Sequence, residues 1–305
     1  IDIWSPKVIE PMIYMGASDR SKNSDIIDTR LLVEYNIETK KTEILYESEY
    51  DSANIQGIEV NDNWLVWQDM EISGTQDNIY VLNRKTRETK KVNSIKTSAP
   101  SFTIPALIDD SVYWIEEEEL IDNTIKGSIK RYDCINGKVD VISQLNSIGV
   151  HNIHLERNAN KLLWSDEKDN KSYYYIYDTT NGKKDIIQAS SNAVMHPILV
   201  GDYIISMEAK NHSEIHDLYI YNIKTKESRK NNQYINGYYR FNNMIVCNDG
   251  LITSLFSIDE DLSITPRKVF SNQADNYEVT NGEYIIFYKE NEKGIIIYIY
   301  ASKDN

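Results

Sequence analysis

Cysteine, proline and glycine are scarce in this 305-residue chain, long apolar runs are missing, and basic residues are outnumbered by acidic ones. The two cysteines, Cys134 and Cys247, stand far apart with no CxxC or CxxH around either, which excludes a redox pair or a structural zinc cluster built on them. Both read as small buried residues. The longest apolar β-like run, residues 295–300, holds six residues where a membrane-spanning helix needs about 20. No transmembrane segment is therefore expected. With 33 Lys and Arg against 47 Asp and Glu and a formal charge of -14, the chain lacks the basic face that phosphate contacts require, which excludes nucleic acid. The same balance disfavours unaided binding to anionic membranes. Linear signatures of catalysis are missing too: there is no GxSxG, HExxH, P-loop, GxGxxG or Asp-box, so the reaction classes those motifs announce are not indicated. Acids gathered from separate repeats would leave no such trace. The chain starts at Ile1 rather than Met and reads as a trimmed domain, compatible with a signal or anchor removed upstream.

What the chain does have is a repeat, of the 40–50-residue order that signals stacked blades. One element is a strand ending in Asn or Asp and followed by a polar turn: Tyr35-Asn36, Leu82-Asn83, Tyr132-Asp133, Tyr177-Asp178 and Tyr221-Asn222. An Asx side chain caps its own turn, and a following Asn-Gly accepts the positive φ of a tight hairpin. A second element is an apolar strand closed by an acid, as in Trp64-Leu65-Val66-Trp67-Gln68-Asp69, Leu162-Leu163-Trp164-Ser165-Asp166 and Tyr203-Ile204-Ile205-Ser206-Met207-Glu208. Short strands and tight turns precede each of these, which makes four strands, a to d, per period. A helical 3.6-residue period is sustained nowhere. The expected architecture is a single all-β domain over 1–305, a β-propeller of seven four-stranded blades at roughly 5–48, 54–94, 102–143, 150–188, 194–230, 236–271 and 275–305. Residues 1–4 would supply the last strand and close the ring. Six blades with an irregular N-terminal segment is the rival arrangement.

The segment 160–166, Asn-Lys-Leu-Leu-Trp-Ser-Asp, followed by residues 171–182, resembles the YWTD repeat of lipoprotein-receptor propellers, and the Ile-Tyr-Val strands resemble TolB-like propellers. The resemblance is at the level of blades and covers most of the chain. It implies a binding or scaffolding propeller, often extracytoplasmic in bacteria.

The two faces of such a propeller differ in sequence. The a–b and c–d turns are short and carry Lys40, Lys41, Lys85, Arg87, Lys183, Lys184, Lys224 and Lys226, whereas the b–c and d–a loops are longer and acidic, the run Glu116 to Glu119 among them. Function concentrates on loops held by a rigid scaffold, so the long-loop face is the expected working face. The five histidines all fall near it: His151, His154 and His196 in the a strands of two successive blades, and His212 and His216 in the b–c loop of the second. His154 and His196 align with Gly57, Ile104, Gly237 and Tyr277 of other blades, and they are the candidates for a divalent cation, since imidazole ligates transition metals. The bland alternative is ordinary packing at a strand start. The acid closing strand b, at Asp69, Glu116, Asp166, Glu208 and Asp249, is read as a repeated acceptor of hydrogen bonds at a loop start rather than a ring of metal ligands. Tyr50, Tyr234, Tyr239 and Tyr277, along with Phe102, lie outside the alternating core pattern and suit an aromatic platform for a peptide or glycan.

These readings combine into a non-catalytic, monomeric propeller of a bacterial envelope or secreted protein that binds a protein or glycan on its acidic long-loop face and has no cofactor beyond the cation raised above. The alternatives are a carbohydrate- or lactone-active enzyme with a His/carboxylate site at the channel mouth, and a cytoplasmic scaffold.

Overall fold

The computed structural model describes residues 3–18, 28–74, 76–96, 104–121, 124–149, 152, 155–211, 217–231, 237–248, 253–270, 276–280, 282–291 and 294–301. Every regular element among them is a strand. The first sheet runs β1 (Ile3–Ile9), β2 (Met12–Ala17), β3 (Leu31–Asn36), β4 (Thr42–Glu47), and the second β5 (Ala53–Val60), β6 (Trp64–Glu71), β7 (Gln76–Asn83), β8 (Thr89–Lys96). The third holds β9 (Ala106–Ile108), β10 (Ser111–Ile121), β11 (Thr124–Asp133) and β12 (Val139–Leu145). The fourth holds β13 (Glu156–Asn158), β14 (Lys161–Lys168), β15 (Lys171–Asp178) and β16 (Lys184–Gln188). The fifth holds β17 (Ala193–Val200), β18 (Tyr203–Ala209), β19 (Asp217–Asn222) and β20 (Ser228–Asn231). The sixth holds β21 (Gly237–Phe241), β22 (Met244–Asn248), β23 (Thr253–Ile258) and β24 (Ile264–Phe270), and a final sheet holds β25 (Asn276–Thr280), β26 (Tyr284–Asn291) and β27 (Gly294–Ala301).

Each sheet is a meander in sequence order, as propeller blades are. The blade count departs from expectation, because six four-stranded blades occur among the described residues, not seven, and the last sheet has three strands. Closure by the N-terminus is also overturned: Ile3 and Trp4 pair with Ala17 and Gly16, which makes that segment the first strand of the first blade. The physical reason is local. A tight turn at residues 10–11 returns the chain directly onto β2, and a neighbouring antiparallel partner forms at less loop-closure cost than one about 300 residues away.

Contacts divide the chain into two compact units. One comprises residues 1–118, 128–144 and 290–297, and the other 119–127, 145–289 and 298–305. Within the first, β1 lies against β5 and β5 against β9; within the second, β13, β17, β21 and β25 form a like series. Within each unit, successive blades thus meet through their first strands. The second strands carry the heaviest burial, with Trp67, Trp114 and Trp164 at the same place in β6, β10 and β14 and none more than 1% exposed. Fourth strands are mostly exposed, as in β4, β16 and β20.

The turn spelling is borne out atom by atom. Asn36 Oδ1 accepts the amides of Glu38 and Thr39, Asn83 those of Lys85 and Thr86, Asp133 those of Ile135 and Asn136, and Asn222 those of Lys224 and Thr225. The residue four places after the Asx always has positive φ: Lys40, Arg87, Gly137, Gly182 and Lys226. Glycine fills that position in only two of these five turns.

Candidate functional site

In the second blade, the loop before β5 and the loop between β6 and β7 enclose a cleft of about 450 Å³, lined by Glu49, Tyr50, Asp51, Ser52, Glu71, Ile72 and Ser73. Both are long-loop connections of the kind expected to carry function. The walls are tied together by the Ile72 amide, which donates to the Ser52 carbonyl at 3.1 Å. Tyr50 is held from both ends: its amide donates to Ser48 Oγ at 3.1 Å, and its hydroxyl accepts from Asn78 Nδ2 at 2.7 Å. A tyrosine fixed in this way loses little rotamer freedom when a ligand packs on it. Burial pushes its phenol up to about 12, so it stays neutral at any physiological pH. The rim carries three carboxylates, Glu49, Asp51 and Glu71, and Ser73 Oγ donates to Glu71 Oε2 at 2.8 Å.

Beneath the first wall, Asp69 is fully buried at the end of β6 and accepts Tyr46 Oη at 2.7 Å and Ser48 Oγ at 2.8 Å. Desolvation raises its pKa, while the Tyr46 and Ser48 hydrogen bonds oppose the shift. At the base of the second wall lies Asp77, opposite Met70 in the β6–β7 ladder and fully buried. Neither of its oxygens has a hydrogen-bond partner among the described residues. A chain of neutral side chains approaches it: Thr29 Oγ1 donates to Asn54 Oδ1 at 2.7 Å, Asn54 Nδ2 to Gln56 Oε1 at 3.3 Å, and Gln56 Nε2 to Gln68 Oε1 at 3.0 Å. Gln68 favours the Asp77 anion from beyond hydrogen-bonding geometry. Burial dominates nonetheless and pushes the Asp77 carboxyl up to about 7, with the Asp69 and Glu117 charges adding to the effect.

The acid at the end of strand b recurs with a different partner in each blade. Asp166 accepts the amides of Asn146 and Ser147 at 3.0 and 3.2 Å, which is the loop-start role read from the sequence. Glu208 instead accepts the hydroxyls of Tyr174 and Tyr221, and Glu116 accepts Lys130 Nζ and Trp114 Nε1. Asp249 lies outside the described residues. The run Glu116 to Glu119 belongs to β10 and not to a loop, because β10 and β11 continue past the blade as a long hairpin.

Of the proposed site residues, Tyr50 is in the cleft. His196 is exposed and sits in β17 at a register shift between Met195 and Ile198, with φ of 48°. Its carbonyl accepts Tyr238 Oη from the next blade. Gly57 has φ of 59° at the matching irregularity of β5, so the alignment of these two positions holds. Tyr277 pairs with Phe287 in the last sheet. His151, His154, His212, His216, Phe102 and Tyr234 lie outside the described residues, and no metal-binding group of three or more His, Cys, Asp or Glu occurs among those described. Cys134 and Cys247 are both buried, as read. Asp77 and Gln68 were missed by sequence reasoning. The available signal was confined to Gln68, a polar residue inside the otherwise apolar run of β6; Asp77 stands between Gln76 and Asn78 at a strand start.

No family model matches the chain, and no curated protein is similar to it in sequence. Solved structures match its fold. TolB from Acinetobacter baumannii is 13% identical over 79% of this chain and 60% of its own, with a TM-score of 0.50. A structure of a nidogen/laminin complex matches at 11% identity over 74% and 78%, TM-score 0.44. A post-proline cleaving enzyme from Rickettsia typhi is 13% identical over 97% of this chain and 51% of its own, TM-score 0.62. The chain therefore spans 60% of the TolB structure and about half of the peptidase. The resemblance to TolB-like propellers stands at the level of the fold. Since the fold is shared by a peptidase and by TolB, it does not choose between catalysis and binding.

Proposed function

We propose that the chain is a non-catalytic, monomeric binding propeller whose cleft between residues 49–52 and 71–73 takes a polypeptide bearing Lys or Arg side chains. The observation that carries this reading is the pairing of a rigidly held, half-buried tyrosine, Tyr50, with three rim carboxylates in one cleft. A flat ring offers contact area at low entropic cost, and the acids steer and orient a cation at the rim. The formal charge of -14 extends that steering over the whole molecule. The resemblance to TolB-like propellers supports an extracytoplasmic location, which an upstream signal or lipid-anchor sequence in the gene would test.

Titration with a fluorescent hexalysine peptide tests the ligand class, with a neutral oligosaccharide as the comparison. The expected outcome is saturable peptide binding that weakens with salt, falls about ten-fold in Tyr50→Ala and is reduced in Glu71→Gln. Binding of the oligosaccharide alone, or peptide binding indifferent to both substitutions, overturns the reading.

A further inference from the structure

The line of neutral side chains that approaches Asp77 has a direction. Thr29 Oγ1 donates to Asn54 Oδ1, Asn54 Nδ2 to Gln56 Oε1, and Gln56 Nε2 to Gln68 Oε1. Every link gives its hydrogen toward Asp77, so Gln68 Nε2 is left as the last donor. That nitrogen and both Asp77 oxygens are buried without a hydrogen-bond partner among the described residues. Gln68 turns the unspent donor toward Asp77, whose anion it favours. Thr29, Gln68 and Asp77 are each fully buried, where an unpaired polar group is costly.

Every member of this line can also work in the opposite direction. Asn and Gln carry an acceptor oxygen at one end of the amide and a donor NH2 of nearly the same shape at the other, and a hydroxyl both gives and accepts. The observed direction suits an Asp77 anion, because it aims an N–H at the carboxylate. A protonated Asp77 has an O–H to give, and Gln68 can receive it only by turning its amide over to present Oε1. Gln68 Nε2 then faces Gln56, which turns its own Oε1 to meet it, and Asn54 in turn gives Nδ2 to Thr29 Oγ1. A half-reversed line would set two donors or two carbonyl oxygens against each other in a low-dielectric interior. The links therefore reverse together.

The far end of the line is a seam between blades. Thr29, just before β3 of the first blade, forms a parallel bridge with Asn54 of the second and accepts the Ile55 amide at 2.9 Å, while the Ala53 amide donates to Asp28 Oδ1 at 3.1 Å. Arg30 follows at once and donates to the carbonyls of Ser48 at 3.1 Å and Asp51 at 3.4 Å, on the wall that carries Tyr50. The near end has no cation to hold Asp77 ionised. The charges that bear on it are Asp69 of β6 and Glu117 of β10, both acidic, and its register partners are Met70 on β6 and Ile95 on β8. With the carboxyl pushed up to about 7 by burial, both of its forms are populated near neutrality.

We propose that Asp77 and this line of side chains form a proton-set switch, in which a proton taken from solvent onto Asp77 reverses the hydrogen bonds as far as Thr29, at the seam of the first and second blades beneath the Tyr50 wall. Return of the proton to solvent restores the direction described above. The switch stands whether or not the cleft takes a basic peptide.

The test follows the side-chain NH2 resonances of the isotope-labelled whole chain by NMR from about pH 5 to 9. The expected result is that the Asn54, Gln56 and Gln68 amides shift together with one midpoint, and that the shifts are lost in Asp77→Asn. Gln56→Met keeps the length of the side chain but breaks the line, so Gln68 still follows Asp77 while Asn54 falls silent. Amides that do not move, or a Gln68 that moves alone in the parent, overturn the proposal. So does an Asn54 shift that survives Gln56→Met, which would mark a field acting through space. Shifts that persist in Asp77→Asn overturn it as well, since they would trace to Asp69 or Glu117. The parent and Asp77→Asn decide the matter by themselves should Gln56→Met not fold.

Discussion

A Cβ placed on Gly57 would stand 2.9 Å from Pro105 Cδ, so the second and third blades meet at a residue that can have no side chain. Gly57 also has φ of 59°, in the left-handed region that L side chains enter at a cost. Both effects act against Gly57→Ala. The expected loss is about 1–3 kcal/mol, read as a lower urea midpoint with an unchanged m-value. A variant as stable as the parent would mean that β5 does not press on the third blade.

His196 gives the converse case. It holds φ of 48° at the matching irregularity of β17 and carries a Cβ there. If its role is structural, His196→Gly relieves the backbone and keeps or raises stability by up to about 1 kcal/mol, while His196→Ala gains nothing. Thermal melts of the two variants, with and without zinc, check this. A zinc-dependent rise in melting temperature of the parent that both variants lose would revive the metal reading.

The same two positions show what was legible in the sequence. Blade order, the meander and the Asx turns follow from local chemistry that repeats: an Asx cap, an apolar strand, an acid. Positive φ at Lys40, Arg87 and Lys226 was not legible, because the residue type gives no sign of it and only the offset of four from the Asx does. Ring closure was misjudged because a strand's partner depends on what lies beside it, and Ile3 has β2 within a tight turn. Tyr50 was legible as an aromatic outside the alternating pattern. Its cleft was not, since the cleft arises from two loops about 20 residues apart. Asp77 hid for a similar reason: an acid at a strand start reads as solvated, and its burial beside Gln68 shows only in the folded blade.

Glu208 is fully buried and receives hydroxyls from two blades, Tyr174 of the fourth and Tyr221 of the fifth. Removing one donor leaves a buried acceptor less well satisfied. Tyr174→Phe is therefore expected to cost about 1–3 kcal/mol. Because both tyrosines serve the same oxygen, the double variant with Tyr221→Phe should depart from additivity by more than about 0.5 kcal/mol. Equilibrium denaturation of the three variants measures that coupling. Strict additivity would show that the two hydroxyls act separately.

Asp77 makes stability depend on pH in a direction opposite to that of a salt-bridged acid. Its carboxyl titrates near 7 in the folded protein because burial disfavours the anion, against about 3.9 in an unfolded chain. Between those values the native state holds a proton that the unfolded state has released, so stability falls as pH rises from about 4 to 7 and levels off above that. A shift of about three units corresponds to at most about 4 kcal/mol. Asp77→Asn has no proton to lose. It should match the parent at pH 4 and exceed it at pH 8, by up to that amount. Asp69 and Glu117 are also raised by burial, but both remain in the variant, so subtracting the two urea-stability profiles isolates Asp77. A difference that stays flat from pH 4 to 8 would mean that a cation or water already compensates the buried carboxylate.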